Sequence, residues 1–403
     1  MPSSISSFEA LPDAVRATAA DRPGEAQPVP VRPIPPRPWR GIGVVALMLT
    51  VIALAGWEWQ MRRVGLRAGD YSIDASGWAA ARRQIDVANV PVVIVGDSRI
   101  LFDTDLDRFQ QLTGVRPLQL ALPGSNARPF LEDVANDPHF HGLLIVGLAD
   151  MSYFRDGVGN GERALDRYHS EMPSQRTGYL VSRALEKRFA FIDPAYRLST
   201  LVYSADRGQR RGGASWYFRP WKLIDIDERG QAALWSKIET DARLRTQARQ
   251  AWLDMPGRPP RPPVDAKVIA STLAKTQAAV ARIRARGGEV VFVRPPSTGP
   301  LRIREEQRIP RRSGWDALLA RAHAAGIHFD DHPELQGLDV PEWSHLSQRC
   351  QRVYTDGYVR LLAHATPRIT LRADAPPPLA ARDCVATTPD AVANANARPK
   401  PGV

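Results

Sequence analysis

Between Gly41 and Trp57 the chain carries no charged residue: GIGVVALMLTVIALAGW. A run of about 17 residues lies at the short end of what crosses a bilayer as a helix. It has no polar face to turn towards solvent. Trp39, Trp57 and Trp59 stand at its edges, where indole rings favour the membrane–water interface. Residues 41–59 therefore read as one N-terminal transmembrane helix rather than as a buried core helix. A cleaved signal peptide fits less well, because the run starts late and no small-x-small cleavage site follows it. Arg37 and Arg40 precede the run and Arg62 and Arg63 follow it, so charge does not set its orientation. A short tail before the span and a large folded part after it place the N-terminus inside and the main domain outside the cytoplasm.

The flanks differ in kind. Residues 1–40 show no hydrophobic period, and Pro28 to Pro38 is dense in proline, so this part is expected to be a disordered Pro-rich tail. Residues 60–87 read as a juxtamembrane linker, and the Ala/Pro-rich stretch 367–403 as a second disordered tail. The net charge of +11 comes mostly from arginine, which suits an anionic membrane surface, an acidic glycan or nucleic acid. No zinc-finger spacing, aromatic RNA-binding motif or recognition helix accompanies it, and a nucleic-acid partner is not expected. The two cysteines, Cys350 and Cys384, either pair in an oxidising compartment or remain free thiols.

From about residue 90 the hydrophobic pattern alternates between strands and helices. Val90 to Val95 is a continuous apolar run, as in a strand buried on both faces. Further strands are expected at 117–122, 143–146, 289–293 and 327–330. Helices are expected at 103–113, 126–134, 315–325 and 348–364, with another starting at the cap Asp265. That last helix carries Ile269, Leu273, Thr276, Val280 and Ile283 on one stripe, before Gly287 and Gly288. The rhythm is broken by residues 155–262, an insertion with helices near 176–190 and 231–254, closed by a proline-rich stretch at 258–263. The reading is α/β: a doubly wound, parallel, five-stranded sheet over 88–154 and 263–366 with a largely helical insertion. Ligands of such sheets sit at the carboxyl ends of the strands.

Three chemical features fall at those ends. Gly96-Asp97-Ser98-Arg99 follows the first strand, where a tight turn projects a serine hydroxyl beside free amides. Such a serine needs a base to become a nucleophile. Leu122-Pro123-Gly124-Ser125-Asn126 follows the second strand, and the Gly124 N–H is placed to donate to an oxyanion. Pro341-Glu342-Trp343-Ser344-His345 comes last. Its histidine is a candidate base, and the acid three residues earlier can hold the imidazole. Asp339 is the reserve acid.

In these blocks the chain resembles the SGNH (GDSL-type) hydrolases and acyltransferases, whose fold is flavodoxin-like. It is similar in particular to their membrane-anchored branch associated with polysaccharide and alginate O-acetylation. The features that carry this likeness are the anchor, Gly96 to Arg99, Ala121 to Ser125, Phe292 to Ser297 and Trp343 to Ser347. The resemblance implies Ser98 as nucleophile, His345 as base, Glu342 as its acid, and no cofactor or metal. It also implies a bacterial inner-membrane protein with a periplasmic catalytic domain. A polysaccharide would be the substrate and a membrane-bound O-acyltransferase a partner.

Two departures stand out. The family's third block, Gly-x-Asn-Asp, reads Gly147-Leu148-Ala149-Asp150 here, so the asparagine that helps the oxyanion is missing; Asn126 is the candidate substitute. Glu342 stands where the family usually has aspartate. The expected activity is serine O-acyl transfer to a glycan. The alternatives are a carbohydrate or lipid esterase, and a non-catalytic glycan-binding assembly partner. Arg294, after the fourth strand, is the candidate for binding an acidic sugar or donor carboxylate. His328 to His332 has metal-ligand residue types, but histidines four apart on a strand stand about 13 Å apart, too far to share one ion.

Overall fold

The computed structural model describes residues 38–155, 159–203, 222–253 and 262–385. Pro28–Arg37 and most of the proline-rich stretch at 258–263 lie outside them. The chain divides into two units, Met1–Ala55 and Gly56–Val403. Described residues of the first unit belong to helix α1 (Trp39–Val64), whose last turns, from Gly56, belong to the second. This helix is long and apolar enough to cross a membrane, and its large apolar side chains, such as Leu47, Leu49 and Ile52, are exposed.

The second unit is built on a parallel sheet of β1 (Val92–Val95), β2 (Leu118–Gln119), β3 (Leu143–Gly147), β6 (Glu289–Arg294) and β7 (Ala325–His328), in the order β2-β1-β3-β6-β7. Strands β4 (Ile224–Ile226) and β5 (Ala232–Leu234) form a separate antiparallel hairpin. The central strands are apolar on both faces because each face meets its own core. Val92 and Ile94 join one cluster with Phe102, Phe109 and Tyr358; Val93 and Val95 join another with Trp78, Phe130 and Trp315. Pairing of β1 with β3 (Ile94 with Ile145) and of β3 with β6 (Val146 with Phe292) keeps this alternation in register.

Helices follow the strands where the capping residues call for them: α2 (Ala75–Val87), α3 (Ser98–Asp103), α4 (Leu106–Thr113), α5 (Ala127–Asn136), α6 (Asp150–Tyr153), α7 (Asn160–Ser170), α8 (Pro173–Glu186), α9 (Ser236–Thr240), α10 (Ala242–Trp252), α11 (Ala266–Ala285), α12 (Gly299–Arg308), α13 (Ala317–Ala322) and α14 (Gln348–Ala365). Asp97, Asp105, Asn126 and Asp265 each accept a first-turn N–H, and Gly114 ends α4 in the left-handed region at φ 79°.

Several expectations change. The helix read at 103–113 begins later, at Leu106, because Thr104 and Asp105 are extended, and a further helix not read from the sequence, α3, precedes them from Ser98. The start of the helix read at 231–254 is β5, paired with β4 around the Asp227–Gly230 turn. Residues 60–87 are more than a linker: they supply α2, whose Trp78 is buried and donates its indole N–H to the Leu120 carbonyl at 2.7 Å. The described part of the C-terminal stretch, 367–385, is packed rather than disordered. The Arg372 N–H donates to Leu112, the Leu379 N–H donates to the buried Asp356, and Cys350 and Cys384 form a disulfide with Cα atoms 5.0 Å apart.

Candidate active site

Ser98 opens α3 immediately after β1. Asp97 caps that helix by accepting the Arg99 N–H at 3.1 Å, and its other oxygen accepts the Ser152 hydroxyl, which ties the turn to the end of β3. The turn sits hard against the sheet. A Cβ on Gly96 or on Gly147 would stand 2.2 Å from the Ile100 side chain, so glycine at both strand ends lets α3 come this close. At the first position of its helix, Ser98 has an N–H with no intrahelical partner.

The imidazole reaches this serine from the far end of the chain. His345 Nε2 lies 2.9 Å from Ser98 Oγ, and His345 Nδ1 lies 2.8 Å from Glu342 Oε1. The same Glu342 oxygen accepts the His345 N–H at 2.6 Å and the Ser344 N–H at 3.3 Å. With Nδ1–H donating to the carboxylate, Nε2 is left to accept the serine proton, the tautomer a general base needs. The loop bends back through Trp343, which holds φ 76°, a conformation rare for a bulky side chain; its carbonyl accepts the Thr298 N–H at 3.0 Å. Phe102 stacks on the imidazole at 4.1 Å between ring centroids. His345 and Glu342 are both buried, while Ser98 is partly exposed.

Glu342 has a further donor that no local sequence pattern announces. Trp252, at the end of α10 in the insertion, donates its indole N–H to Glu342 Oε2 and stands edge-on to His345 at 5.7 Å. Asp339, the reserve acid, is not on the imidazole: its carboxyl pairs with Ser347, and its N–H donates to Cys350 Sγ at 3.3 Å. Glutamate in place of aspartate thus reaches the ring and keeps a second oxygen for the tryptophan.

Ser98, His345, Phe102, Gly124 and Trp252 line one open cleft of about 950 Å³. Gly124 is brought there because the Leu122 N–H and the Ser125 hydroxyl both donate to the Gly96 carbonyl, at 3.1 and 3.2 Å. It is exposed and adopts φ 68°. Asn126 does not join it: the side chain is buried, accepts the Arg128 N–H at 3.0 Å as the cap of α5, and donates to the Arg155 carbonyl at 3.4 Å. Asp70, Asp193 and Lys222 also line the cleft. Lys222 donates to Asp70, to Asp193 at 2.9 Å and to the Ile224 carbonyl at 2.7 Å. Burial pushes Asp70 up to about 6 against the pull of that lysine. Of the stretch Ser215 to Lys222, which mixes aromatic and cationic residues in the sequence, only Lys222 is among the described residues.

Arg294 is a correction to the sequence reading. It does not line the cleft; it is buried behind it. Its guanidinium donates to Asp150 and to Glu305, each at 2.8 Å, to the Pro295 carbonyl at 2.7 Å and to Ser297 at 3.2 Å. A buried cation needs such partners, and these occupy the donors that a substrate would require. Glu305 also accepts from Arg99, whose Nε reaches Ser344 Oγ at 3.3 Å, next to His345 in the chain. Burial alone would raise Glu305, but the Arg99 and Arg294 charges hold it down at about 2. Ala149 stands where an asparagine was expected and offers no side-chain donor. His328 is buried against Trp315 and Phe329 and accepts the Asp330 N–H at 3.1 Å; burial and the charges of Arg294, Arg311 and Arg302 push it down to about 2.

Among known proteins, no protein-family model matches the chain and no curated protein is significantly similar to it.

Proposed function

We propose that this chain is a membrane-anchored serine O-acyltransferase of the SGNH superfamily, acting outside the cytoplasm on a cell-surface or exported polysaccharide. The observation that carries the reading is the hydrogen-bonded series Ser98–His345–Glu342, of which Ser98 and His345 line one cleft. The strand order, 2-1-3 followed by the last two strands, is that of flavodoxin-like sheets, with Ser98 beside the switch point between β1 and β3.

In the proposed reaction Ser98 Oγ attacks the donor's acyl carbonyl as His345 Nε2 takes the serine proton. The N–H groups of Ser98 and Gly124 hold the oxyanion. Collapse breaks the bond to the leaving group, which receives the proton from His345, and leaves an acyl ester on Ser98. A sugar hydroxyl then gives its proton to His345 and attacks that ester, and Ser98 is restored. Glu342 holds the imidazole throughout. The proposed setting is the periplasmic face of a bacterial inner membrane, with a membrane-bound O-acyltransferase as the partner that supplies acyl groups.

Two further readings use the same site. With water as acceptor it is an esterase. Ala149, which leaves the oxyanion with one donor fewer, favours a glycan-binding assembly partner that does not turn over. The test is to incubate the full chain with an activated acetyl ester and analyse its peptides by mass spectrometry. An acetyl group on the Ser98 peptide that is absent from Ser98→Ala supports an acyl enzyme, and added oligosaccharide should then remove it faster than water does. Absence of the adduct in both proteins refutes acyl transfer and leaves the assembly reading.

A further inference from the structure

Helix α8 has two faces of different kind. Its inner face packs on residues 69–77: Glu186 accepts the Ser72 hydroxyl and, through its carbonyl, the Gly69 N–H at 2.8 Å, while the Tyr179 ring lies over Gly77. The outer face presents Leu180, Val181, Ala184 and Leu185, a stripe at helical spacing, and the chain leaves it through Phe189. Leu180 is 66% and Val181 53% exposed, although an amphipathic helix in a soluble domain turns such residues inward. Lys187 and Arg188 follow at the end of the stripe.

What lies next to this stripe identifies its occupant. Glu58 accepts the N–H of Ala190 at 3.1 Å and that of Phe191 at 3.0 Å, so the exit of α8 is clamped to a residue three positions beyond Ala55. By covalent continuity alone, Glu58 emerges directly from the uncharged run. If that run crosses a bilayer, the residues bonded to Glu58 lie at the bilayer surface. Lys187 is paired with Glu228 at 2.6 Å, but an apolar stripe ending there with Arg188 beside it has the composition of a helix that lies in the membrane interface.

We infer that the outer face of α8 rests on the lipid bilayer as a second, interfacial membrane contact; this depends on the proposed membrane span. The contact needs little affinity of its own, because the anchor supplies a high local concentration of lipid. Its consequence is orientation. Phe191 leads within six residues to Asp193, Pro194 and Arg197, which line the proposed catalytic cleft, so docking of α8 fixes that cleft relative to the lipid surface.

Both native cysteines are in the disulfide, so one introduced cysteine is the sole reactive thiol. Full-length Val181→Cys, Ile52→Cys and Lys275→Cys proteins would each carry an environment-sensitive fluorophore. They would be reconstituted in vesicles of phosphatidylcholine and phosphatidylglycerol with or without brominated acyl chains. Lys275 is an exposed residue of α11, far along the chain from α8. A label buried about 5–10 Å into the interface should lose roughly half its emission to the brominated chains. The inference expects that loss at Val181 and at Ile52 but not at Lys275. Quenching at Ile52 with Val181 as bright as Lys275 overturns it while leaving the anchor intact, and a protein partner then becomes the occupant of the stripe. No quenching at Ile52 overturns the membrane span and this inference together.

Discussion

Glu305→Gln removes one charge from a buried junction and leaves its shape. Glu305 is held by Arg99, Arg294 and Ser297, and its pKa falls to about 2 from the ordinary 4.5. At 1.36 kcal/mol per unit, the charged form contributes about 3 kcal/mol to the folded state. That agrees with the ~3–5 kcal/mol lost when one partner of a buried pair is removed. The sign follows from the direction of the shift. Because the folded value lies below the unfolded one, the contribution is fully present above about 4.5 and is lost as pH falls towards 2. Urea unfolding of full-length wild type and variant in detergent, followed by tryptophan fluorescence at about pH 7, 5 and 3, should show a gap of about 3 kcal/mol that narrows at the lowest pH. A gap that stays constant with pH would mean that packing, not charge, is responsible. No gap at neutral pH would refute the account of the junction altogether. Because Arg99 also reaches Ser344, the variant should lose acyl transfer as well as stability.

Removing the disulfide by Cys350→Ser, which opens a loop spanning 34 residues, should cost about 3–4 kcal/mol by chain entropy and lower the thermal midpoint of the oxidised protein; equal midpoints with and without reductant would contradict this. Trp252→Phe keeps the ring beside His345 but withdraws the indole donor from the buried Glu342 oxygen. At ~1–3 kcal/mol for a lost buried partner, acylation of Ser98 should slow by roughly 5- to 150-fold, and unchanged acylation kinetics would remove Trp252 from the machinery.

The sheet was legible because its strands are apolar on both faces and helices start at Asn126 and Asp265. These are local signals that tertiary packing did not override. The alignment of Ser98 with His345 was legible only through topology, since strand ends share an edge. What stayed hidden depends on partners far away in sequence. Arg294 at a strand end looks the same whether it faces a ligand or a buried carboxylate, and only the fold shows that Asp150 and Glu305 meet it. Asn126 was read as an oxyanion donor and proves to be a helix cap, a role its sequence position also fits. Trp252 gave no signal, because its bond to Glu342 joins an insertion helix to a loop 90 residues on. The order of 367–385 was obscured by composition: alanine and proline there form little regular structure, and they are held by Asp356 and the disulfide.

The distance along the chain between Ser98 and His345, the proposed nucleophile and base, has a consequence for biosynthesis. Ser98 and His345 are 247 residues apart, and β3, the insertion, β6 and β7 all lie between them. A ribosome exposes the serine early and the histidine near the end. A chain that stops before that loop has Ser98 without its imidazole partner, and on the proposed mechanism the serine becomes a nucleophile only when the last parallel strand and the loop after it have been made and folded. Contacts of such long range make folding slow. On the proposed mechanism they also keep a partly built chain from forming an acyl ester on Ser98.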